Sequence, residues 1–97
     1  MSGHRGTERT IERELVVTNK WGIHARAAAQ IVKVASQYNS EIKINKDGSL
    51  VNAKSILDIM TLECPQGSKL QVVAKGPDAA EALEALAQLF RNRFGEP

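Results

Sequence analysis

The sequence is poor in cysteine, in aromatic residues and in net charge, and each shortage excludes a class of protein. The single cysteine, Cys64, cannot form a disulfide within the chain, which fits a reducing compartment. One tryptophan, one tyrosine and two phenylalanines are too few for an aromatic platform on which nucleic-acid bases stack. A formal charge of +2 is too small to indicate nucleic acid or an anionic membrane as a partner.

Long apolar runs are missing as well. No segment approaches the roughly 20 apolar residues that a membrane-spanning helix needs, and the opening MSGHRGTERT lacks the apolar core of a signal peptide. We therefore expect a cytoplasmic protein that does not insert into a membrane. His4, His24 and Cys64 are far apart in sequence and make a poor metal site, so we expect neither a metal nor another cofactor.

The length of 97 residues predicts one domain with one modest core. Residues 1–10 are small, polar and charged, which predicts a disordered arm ahead of a folded domain over residues 11–94. Within that domain, hydrophobic periodicity predicts the element order β-α-β-β-α-β-α. The expected segments are a strand over Glu12 to Lys20, a helix from His24 or Ala25 to about Gln37, a hairpin that turns at Asp47-Gly48, a short helix over Ser55 to Leu62, a strand over Ser68 to Gly76, and a helix that starts at Pro77-Asp78.

Each of the two long predicted helices carries one apolar stripe, and the strands alternate as if one face of a sheet were covered. The stripe residues are Ala28, Ile31, Val32 and Ala35 in the first helix, and Ala79, Leu83, Leu86, Phe90 and Phe94 in the last. The economical packing is a four-stranded antiparallel sheet with the helices on one face, an α+β two-layer sandwich.

The stretch GIHARAAAQIVKVA, from Gly22 to Ala35, places His24 at the start of the first helix. The first backbone N–H groups of a helix have no partner within it, and the helix dipole adds positive charge there, so such a terminus attracts anions. Arg26 adds a cation, and Gly22 lets the backbone approach closely. With no second histidine, cysteine or carboxylate close by, the pattern favours an anion, including one carried by a nucleophilic imidazole. The alternative is a surface histidine with its ring in solvent.

The blocks GIHARAAAQIVKVASQYNSEIKI, VNAKSILDIMTL and QGSKL, and the helix after GPDAAEAL, resemble the histidine-containing phosphocarrier protein (HPr) family. This family belongs to the bacterial phosphoenolpyruvate-dependent phosphotransferase system. The resemblance covers about Glu12 to Arg93. Its most specific parts are the G-[IL]-H-A-R block before a helix and the K-S-I before a short helix. The family fold, an open-faced β-sandwich, has the same order of elements as the one predicted above.

The resemblance implies a role for each of three residues. His24 accepts a phosphoryl group from Enzyme I and passes it to a IIA-type component, and Arg26 stabilises the phosphohistidine. Ser55 matches the serine that a dedicated HPr kinase phosphorylates in many members. Its alternative role is a plain helix N-cap, completed by Asp58 three residues later as a capping box. The protein is then a monomeric phosphoryl carrier rather than a stand-alone enzyme.

Two positions depart from the family pattern. Ala27 replaces the usual proline after Arg26, and proline presets the first turn of a helix, so we expect a less rigid loop around His24. Asp58 replaces what is often a small residue, and it adds negative charge beside the surface that meets partners. Neither change removes the nucleophile or its cation.

The short helix has more apolar residues than one face of it can bury. They are Ile56, Leu57, Ile59, Met60 and Leu62. We expect Ile56 and Met60 to be exposed and to form a docking patch near His24, because exposed apolar patches mark interaction sites. Trp21 is either an anchor of the loop or a further contact for a partner.

Two other functions compete with the carrier. A regulatory binding module would keep the fold and the Ser55 surface but relay phosphoryl groups weakly or not at all. Intact His24 and Arg26 argue against it. A small hydrolase that uses His24 with Cys64 is less favoured, because a lone cysteine is usually a small semi-buried residue.

Overall fold

A computed structural model of the chain describes residues 9–97. The strands and helices are β1 Arg9–Val16, α1 Ala25–Ala35, β2 Glu41–Lys46, β3 Ser49–Asn52, α2 Ile56–Met60, β4 Lys69–Gly76 and α3 Ala79–Arg91, followed by a 3-10 turn at Arg93–Gly95. The predicted order is confirmed, and the 3-10 turn is an addition that the periodicity did not indicate. None of the helices in this part of the chain combines the length and the apolar character needed to cross a membrane.

The four strands form one antiparallel sheet in the order β1-β4-β2-β3. The predicted hairpin joins β2 to β3, and its two turn residues, Asp47 and Gly48, have φ angles of 52° and 92°. Both angles lie in the left-handed region, which the favoured two-residue hairpin turns require and which Asp-Gly adopts readily. The turn chemistry therefore fixes the register of the edge strand.

One face of the sheet is buried under the helices and the other is open. Burial alternates along β4, where Leu70, Val72 and Ala74 are buried and the residues between them are only partly covered. The predicted stripes of α1 and α3 face this core, although Val32 is only half-buried. The buried stripe residues are Ala28, Ile31, Ala35, Ala79, Leu83, Leu86 and Phe90. Phe94 is buried too, but it lies in the 3-10 turn beyond the end of α3 and not in the helix, where the sequence had predicted it. The α+β open-faced sandwich is confirmed.

The first strand begins earlier and ends sooner than the sequence predicted. Arg9 and Thr10, which we assigned to the arm, pair with the last residues of β4. The rest of the predicted arm lies outside the described residues. Beyond Val16, Val17 still exchanges backbone hydrogen bonds with Ser68 and Gly67. In the loop that leads to α1, the buried Asn19 donates from Nδ2 to the Gly22 carbonyl at 2.7 Å.

Candidate functional site

His24 is the N-cap of α1, and its ring folds back onto the first turn of the helix. Its backbone is extended, with φ −84° and ψ −179°, and its carbonyl accepts the first helical hydrogen bond, from Ala28 N at 2.9 Å. Its Nδ1 accepts a hydrogen bond from the Ala27 N–H at 3.4 Å, as an N-cap side chain does. The predicted position of His24 is confirmed, but the side chain is 31% exposed rather than free in solvent.

The start of α1 has the features of an anion site. Its first turn contains no acidic residue. Within residues 9–97, the backbone N–H groups of Ala25 and Arg26 have no hydrogen-bond partner, and the exposed guanidinium of Arg26 makes no ion pair. An anion bound at His24 therefore meets uncommitted donors, an uncommitted cation and the positive end of the helix dipole.

The loop before His24 is fixed against the segment that follows α2. Gly22 has a φ of +67°, and a Cβ on it would lie 2.4 Å from the carbonyl oxygen of Cys64, so only glycine fits. The Ile23 N–H donates to that same carbonyl at 2.9 Å. The sequence predicted that Gly22 lets the backbone approach an anion; in the structure, the close neighbour of Gly22 is the backbone of Cys64.

Cys64 contributes its backbone, not its thiol, to this arrangement. The side chain is buried, and burial raises the pKa of the thiol, against the opposing effect of the Lys46 charge. A thiol whose pKa is raised carries little thiolate near neutral pH, and the thiolate is the nucleophile. The buried thiol therefore weakens the hydrolase hypothesis, which needs Cys64 as the reactive partner of His24.

A carboxylate that the sequence did not indicate lies against the other ring nitrogen of His24. Glu96 Oε2 is 2.6 Å from His24 Nε2, and it also accepts a hydrogen bond from Asn19 Nδ2 at 3.0 Å. The hydrogen bond from His24, and to a lesser degree that from Asn19, holds the pKa of the Glu96 carboxyl below its ordinary value. No carboxylate is close to His24 along the chain, and the fold supplies one. The two residues are 72 positions apart, so no local pattern connects them.

Glu96 reaches His24 because the chain doubles back after α3. Arg93, Phe94 and Gly95 have φ angles of 54°, 55° and 79°, so three consecutive residues are left-handed. Phe94 is buried and packs on Phe90 with ring centroids 5.0 Å apart, which anchors the turn to the core. We term residues 92–97 the α3 strap.

Two hydrogen bonds determine which ring nitrogen of His24 carries the proton when the imidazole is neutral. The Ala27 N–H can only donate, so its long contact with Nδ1 favours a lone pair on that nitrogen. Nε2 is then the protonated nitrogen, and it donates to the ionised carboxylate of Glu96. The lone pair of Nδ1 therefore lies at the open N-terminus of α1.

Trp21, Arg26 and the α3 strap surround a cavity of about 420 Å³ at His24. Trp21 is 68% exposed and meets the imidazole edge-on, with ring centroids 6.2 Å apart and planes at 70°. Three of the predicted site residues are thus together in space. No three His, Cys, Asp or Glu side chains cluster as a metal site requires anywhere in residues 9–97.

Ser55 begins α2 much as His24 begins α1. Its Oγ accepts a hydrogen bond from the Asp58 N–H at 3.2 Å, which confirms the predicted N-cap. The second half of the predicted capping box is wrong, because the Asp58 carboxylate accepts from the Asn52 N–H and the Ser55 N–H donates to the Asn52 carbonyl. Asp58 therefore ties the end of β3 to α2 and keeps its charge in the first turn of that helix.

Three large apolar side chains of α2 face solvent. Ile56, Leu57 and Met60 are 41%, 80% and 39% exposed, whereas Ile59 is 1% exposed. The predicted exposure of Ile56 and Met60 is confirmed, and Leu57 is an addition. In a helix, Met60 is a surface neighbour of both Ile56 and Leu57. The exposure of Leu57 could therefore have been predicted from the sequence together with that of Ile56 and Met60. We term Ile56, Leu57 and Met60 the α2 patch.

Comparison with known proteins agrees with this geometry. The family model described as "PTS HPr component phosphorylation site" matches residues 11–92. The phosphocarrier protein HPr of Xylella fastidiosa is 45% identical over 86 residues, which cover 89% of this chain and 97% of that protein.

Solved structures of similar proteins have the same fold. The crystal structure of HPr-C-His from Thermoanaerobacter tengcongensis is 44% identical, covers 90% of this chain and 98% of its own, and has a TM-score of 0.86. The Bacillus subtilis catabolite repression protein Crh, a domain-swapped dimer, is 41% identical, covers 75% of this chain and 84% of its own, and has a TM-score of 0.69. The resemblance carried by the histidine and serine blocks is therefore confirmed, and the chain belongs to the HPr family of phosphotransferase-system phosphocarrier proteins.

Proposed function

We propose that the protein accepts a phosphoryl group from Enzyme I on Nδ1 of His24 and passes it to a IIA-type component. The observation that carries this proposal is the position of the Nδ1 lone pair. It lies at a helix N-terminus with no acid in its first turn and with Arg26 beside it. Family membership supplies the phosphocarrier activity, and the acceptor atom and the two partner proteins are the proposed part.

The transfer needs a nucleophile and stabilisation of negative charge, and the site offers both. The Nδ1 lone pair forms the N–P bond while the bond from phosphorus to the donor breaks, and the electron pair of that bond stays with the donor. The proton on Nε2 stays on the ring. The phosphoryl oxygens then accept hydrogen bonds from the first-turn N–H groups of α1 and from the guanidinium of Arg26. No second catalytic residue is required, which suits a carrier rather than an enzyme with its own turnover.

Trp21 and the α2 patch are the proposed contacts for partner proteins. Their side chains are large, apolar and exposed, as at interaction surfaces. A carrier must release each partner after transfer, so a small surface is sufficient. We propose a monomer as the working form; because Crh is a dimer, analytical ultracentrifugation of the purified protein is the test.

We also propose Ser55 as a regulatory phosphorylation site of an HPr kinase. A phosphate on the N-cap of a helix is favoured by the open N–H groups, although the Asp58 carboxylate in the same turn opposes it. Replacement of Ser55 by Asp is expected to weaken binding to Enzyme I, and unchanged binding in a titration would contradict the regulatory role. Because His24 and Arg26 line one cavity, the carrier is favoured over a binding module without relay.

The deciding experiment is incubation with phosphoenolpyruvate, magnesium and purified Enzyme I, followed by intact mass before and after mild acid. Phosphohistidine is labile in acid and phosphoserine is stable, so one added phosphate that acid removes indicates His24. The variant His24→Ala is expected to gain none. If the folded wild-type protein gains no phosphate while a control carrier does, the relay proposal is wrong.

A further inference from the structure

We propose that Glu96 is a positioning residue for His24: its carboxylate keeps the proton on Nε2, so that Nδ1 presents its lone pair to the phosphoryl donor. The inference rests on the proposed carrier function and adds to it a residue from the α3 strap. It assigns a purpose to the turn that brings the chain back to α1.

The carboxylate is held in place by more than the imidazole. The Glu96 side chain is 11% exposed, and the oxygen that contacts His24 is the same one that accepts from Asn19 Nδ2 at 3.0 Å. Asn19 is 1% exposed, and its Nδ2 also donates to the Gly22 carbonyl. One amide therefore joins the loop before His24 to the carboxylate behind it. A carboxylate fixed in this way on a ring N–H sets both the tautomer and the orientation of a histidine.

The contact on the other nitrogen is too weak to do this alone. The Ala27 N–H is 3.4 Å from Nδ1, beyond the usual length of an N–H hydrogen bond, whereas Glu96 is 2.6 Å from Nε2. A charge-assisted hydrogen bond is also about twice as strong as a neutral one. The carboxylate therefore determines the tautomer, and the long contact leaves the Nδ1 lone pair open to attack phosphorus.

The same carboxylate suits the product of the transfer. Once the N–P bond has formed, the ring carries a positive charge and keeps its proton on Nε2, beside the Glu96 carboxylate. No proton moves in either direction of the transfer, since the lone pair returns to Nδ1 when the phosphoryl group departs. Nε2 lies on the side of the ring away from Nδ1, so the carboxylate does not occupy the anion site.

The α3 strap holds this carboxylate at a cost in backbone conformation. Arg93 and Phe94 are non-glycine residues with φ near +55°, a region that is unfavourable for side chains with a Cβ. The burial of Phe94 against Phe90 offsets that cost. Strained backbone that a buried anchor maintains is typical of segments that deliver a side chain to a functional site.

Replacement of Glu96 by Gln and by Ala separates the effect of its hydrogen bond to His24 from the effect of its charge. In Glu96→Gln the amide oxygen is expected to face Asn19, because Asn19 Nδ2 can only donate, and the same oxygen then accepts from Nε2–H. Glu96→Ala removes the acceptor altogether. Glu96→Met repeats that loss with the side-chain volume retained. Glu12→Gln, which removes an exposed carboxylate from β1, is the matched control.

The primary readout is ¹⁵N NMR of the imidazole at alkaline pH, with His24→Ala used to separate its signals from those of His4. In wild type, E12Q and E96Q we expect a protonated Nε2 and an unprotonated Nδ1. In E96A and E96M we expect shifts that average over two tautomers. The rate of phosphoryl acceptance from Enzyme I is expected to fall about tenfold in E96A and less in E96Q, the loss typical of a removed histidine-orienting carboxylate.

Each contrary outcome is distinct. If the ring nitrogens have the same shifts in wild type, E96A and E96M, Glu96 does not set the tautomer and the proposal is overturned. If the shifts change but acceptance stays at the wild-type rate, the positioning role in transfer is overturned. If no variant, wild type included, accepts phosphate while the shifts differ as expected, the carrier function fails and the use assigned to the tautomer fails with it.

Discussion

The N-termini of α1 and α2 are built alike, and yet they differ in how they receive an anion. In each, an extended N-cap side chain accepts a hydrogen bond from the backbone N–H three residues later, His24 from Ala27 and Ser55 from Asp58. The first turn of α1 has no acid and includes Arg26, whereas the first turn of α2 contains the carboxylate of Asp58. The cap shapes the helix start in both places, and the charge around the cap decides which start favours a phosphate.

The two helices also differ in their length and in what surrounds their N-cap side chains. α1 has 11 residues and α2 has 5, so the longer helix presents more aligned peptide dipoles at its N-terminus. The ring of His24 is supported from behind by Glu96. α2 instead exposes its apolar side chains beside its cap. One terminus is thus arranged for chemistry and the other for contact with partners.

The largest expected effect comes from a substitution that disrupts the loop leading into α1. Gly22→Ala places a Cβ 2.4 Å from the Cys64 carbonyl oxygen at a φ of +67°, so both a clash and backbone strain result. We expect a loss of about 3 kcal/mol in the free energy of unfolding, measured by urea denaturation, together with slower phosphoryl acceptance.

Gly67→Ala is the matched control for that substitution. Gly67 has a φ of +94°, but a Cβ on it meets nothing within 4 Å, so only the strain remains. We expect a loss of about 1 kcal/mol. Equal losses for the two variants would contradict the close approach to Cys64.

The next effect concerns charge at the α1 start. Arg26→Ala removes the cation that distinguishes this terminus from α2, and a hydrogen bond to a charged group contributes about 1.5–3 kcal/mol. We expect phosphoryl acceptance from Enzyme I to slow by about tenfold or more, with an unchanged urea midpoint. The measurement is a rapid-quench time course.

Lys33→Ala controls for the lost charge, because Lys33 lies in the last turn of the same helix. Its acceptance rate is expected to match wild type. Arg26→Lys is expected to recover part of the rate, since lysine keeps the charge but not the bidentate geometry. An unfolded Arg26→Ala protein would show instead that the residue is structural.

A smaller effect tests the α2 cap. Ser55→Ala removes the acceptor for the Asp58 N–H and is expected to cost about 1 kcal/mol of stability. Asp58→Ala leaves that backbone N–H in place and removes only the carboxylate that accepts from the Asn52 N–H, so its cost is expected to be lower. Urea denaturation of the two variants ranks them, and the reverse order would mean that the link from Asp58 to Asn52 matters more than the cap.

The features that sequence reasoning predicted are those that local chemistry controls. The Asp47-Gly48 turn and the caps at His24 and Ser55 depend on residues within a few positions of each other, and all are confirmed. The contact between Glu96 and His24 depends on a left-handed turn formed by Arg93 and Phe94, residue types that do not indicate one. Its stability comes from the burial of Phe94, which only the packed fold provides.

The smallest expected effect depends on pH and concerns the carboxylate behind His24. Because hydrogen bonds lower the pKa of Glu96 in the folded protein, the ionised carboxylate stabilises the fold. That contribution is complete above the ordinary glutamate pKa of about 4.3 and is lost as the pH falls through the lowered folded value. We expect wild type to be more stable than Glu96→Gln near neutral pH, and the two melting temperatures to converge as the pH falls below the ordinary glutamate pKa and through the lowered folded value. Asp78 and Glu84 also have lowered pKa values, but both proteins contain them, so the difference between the two curves isolates Glu96. A difference that stays constant with pH would mean that the charge of Glu96 does not hold the α3 strap on His24.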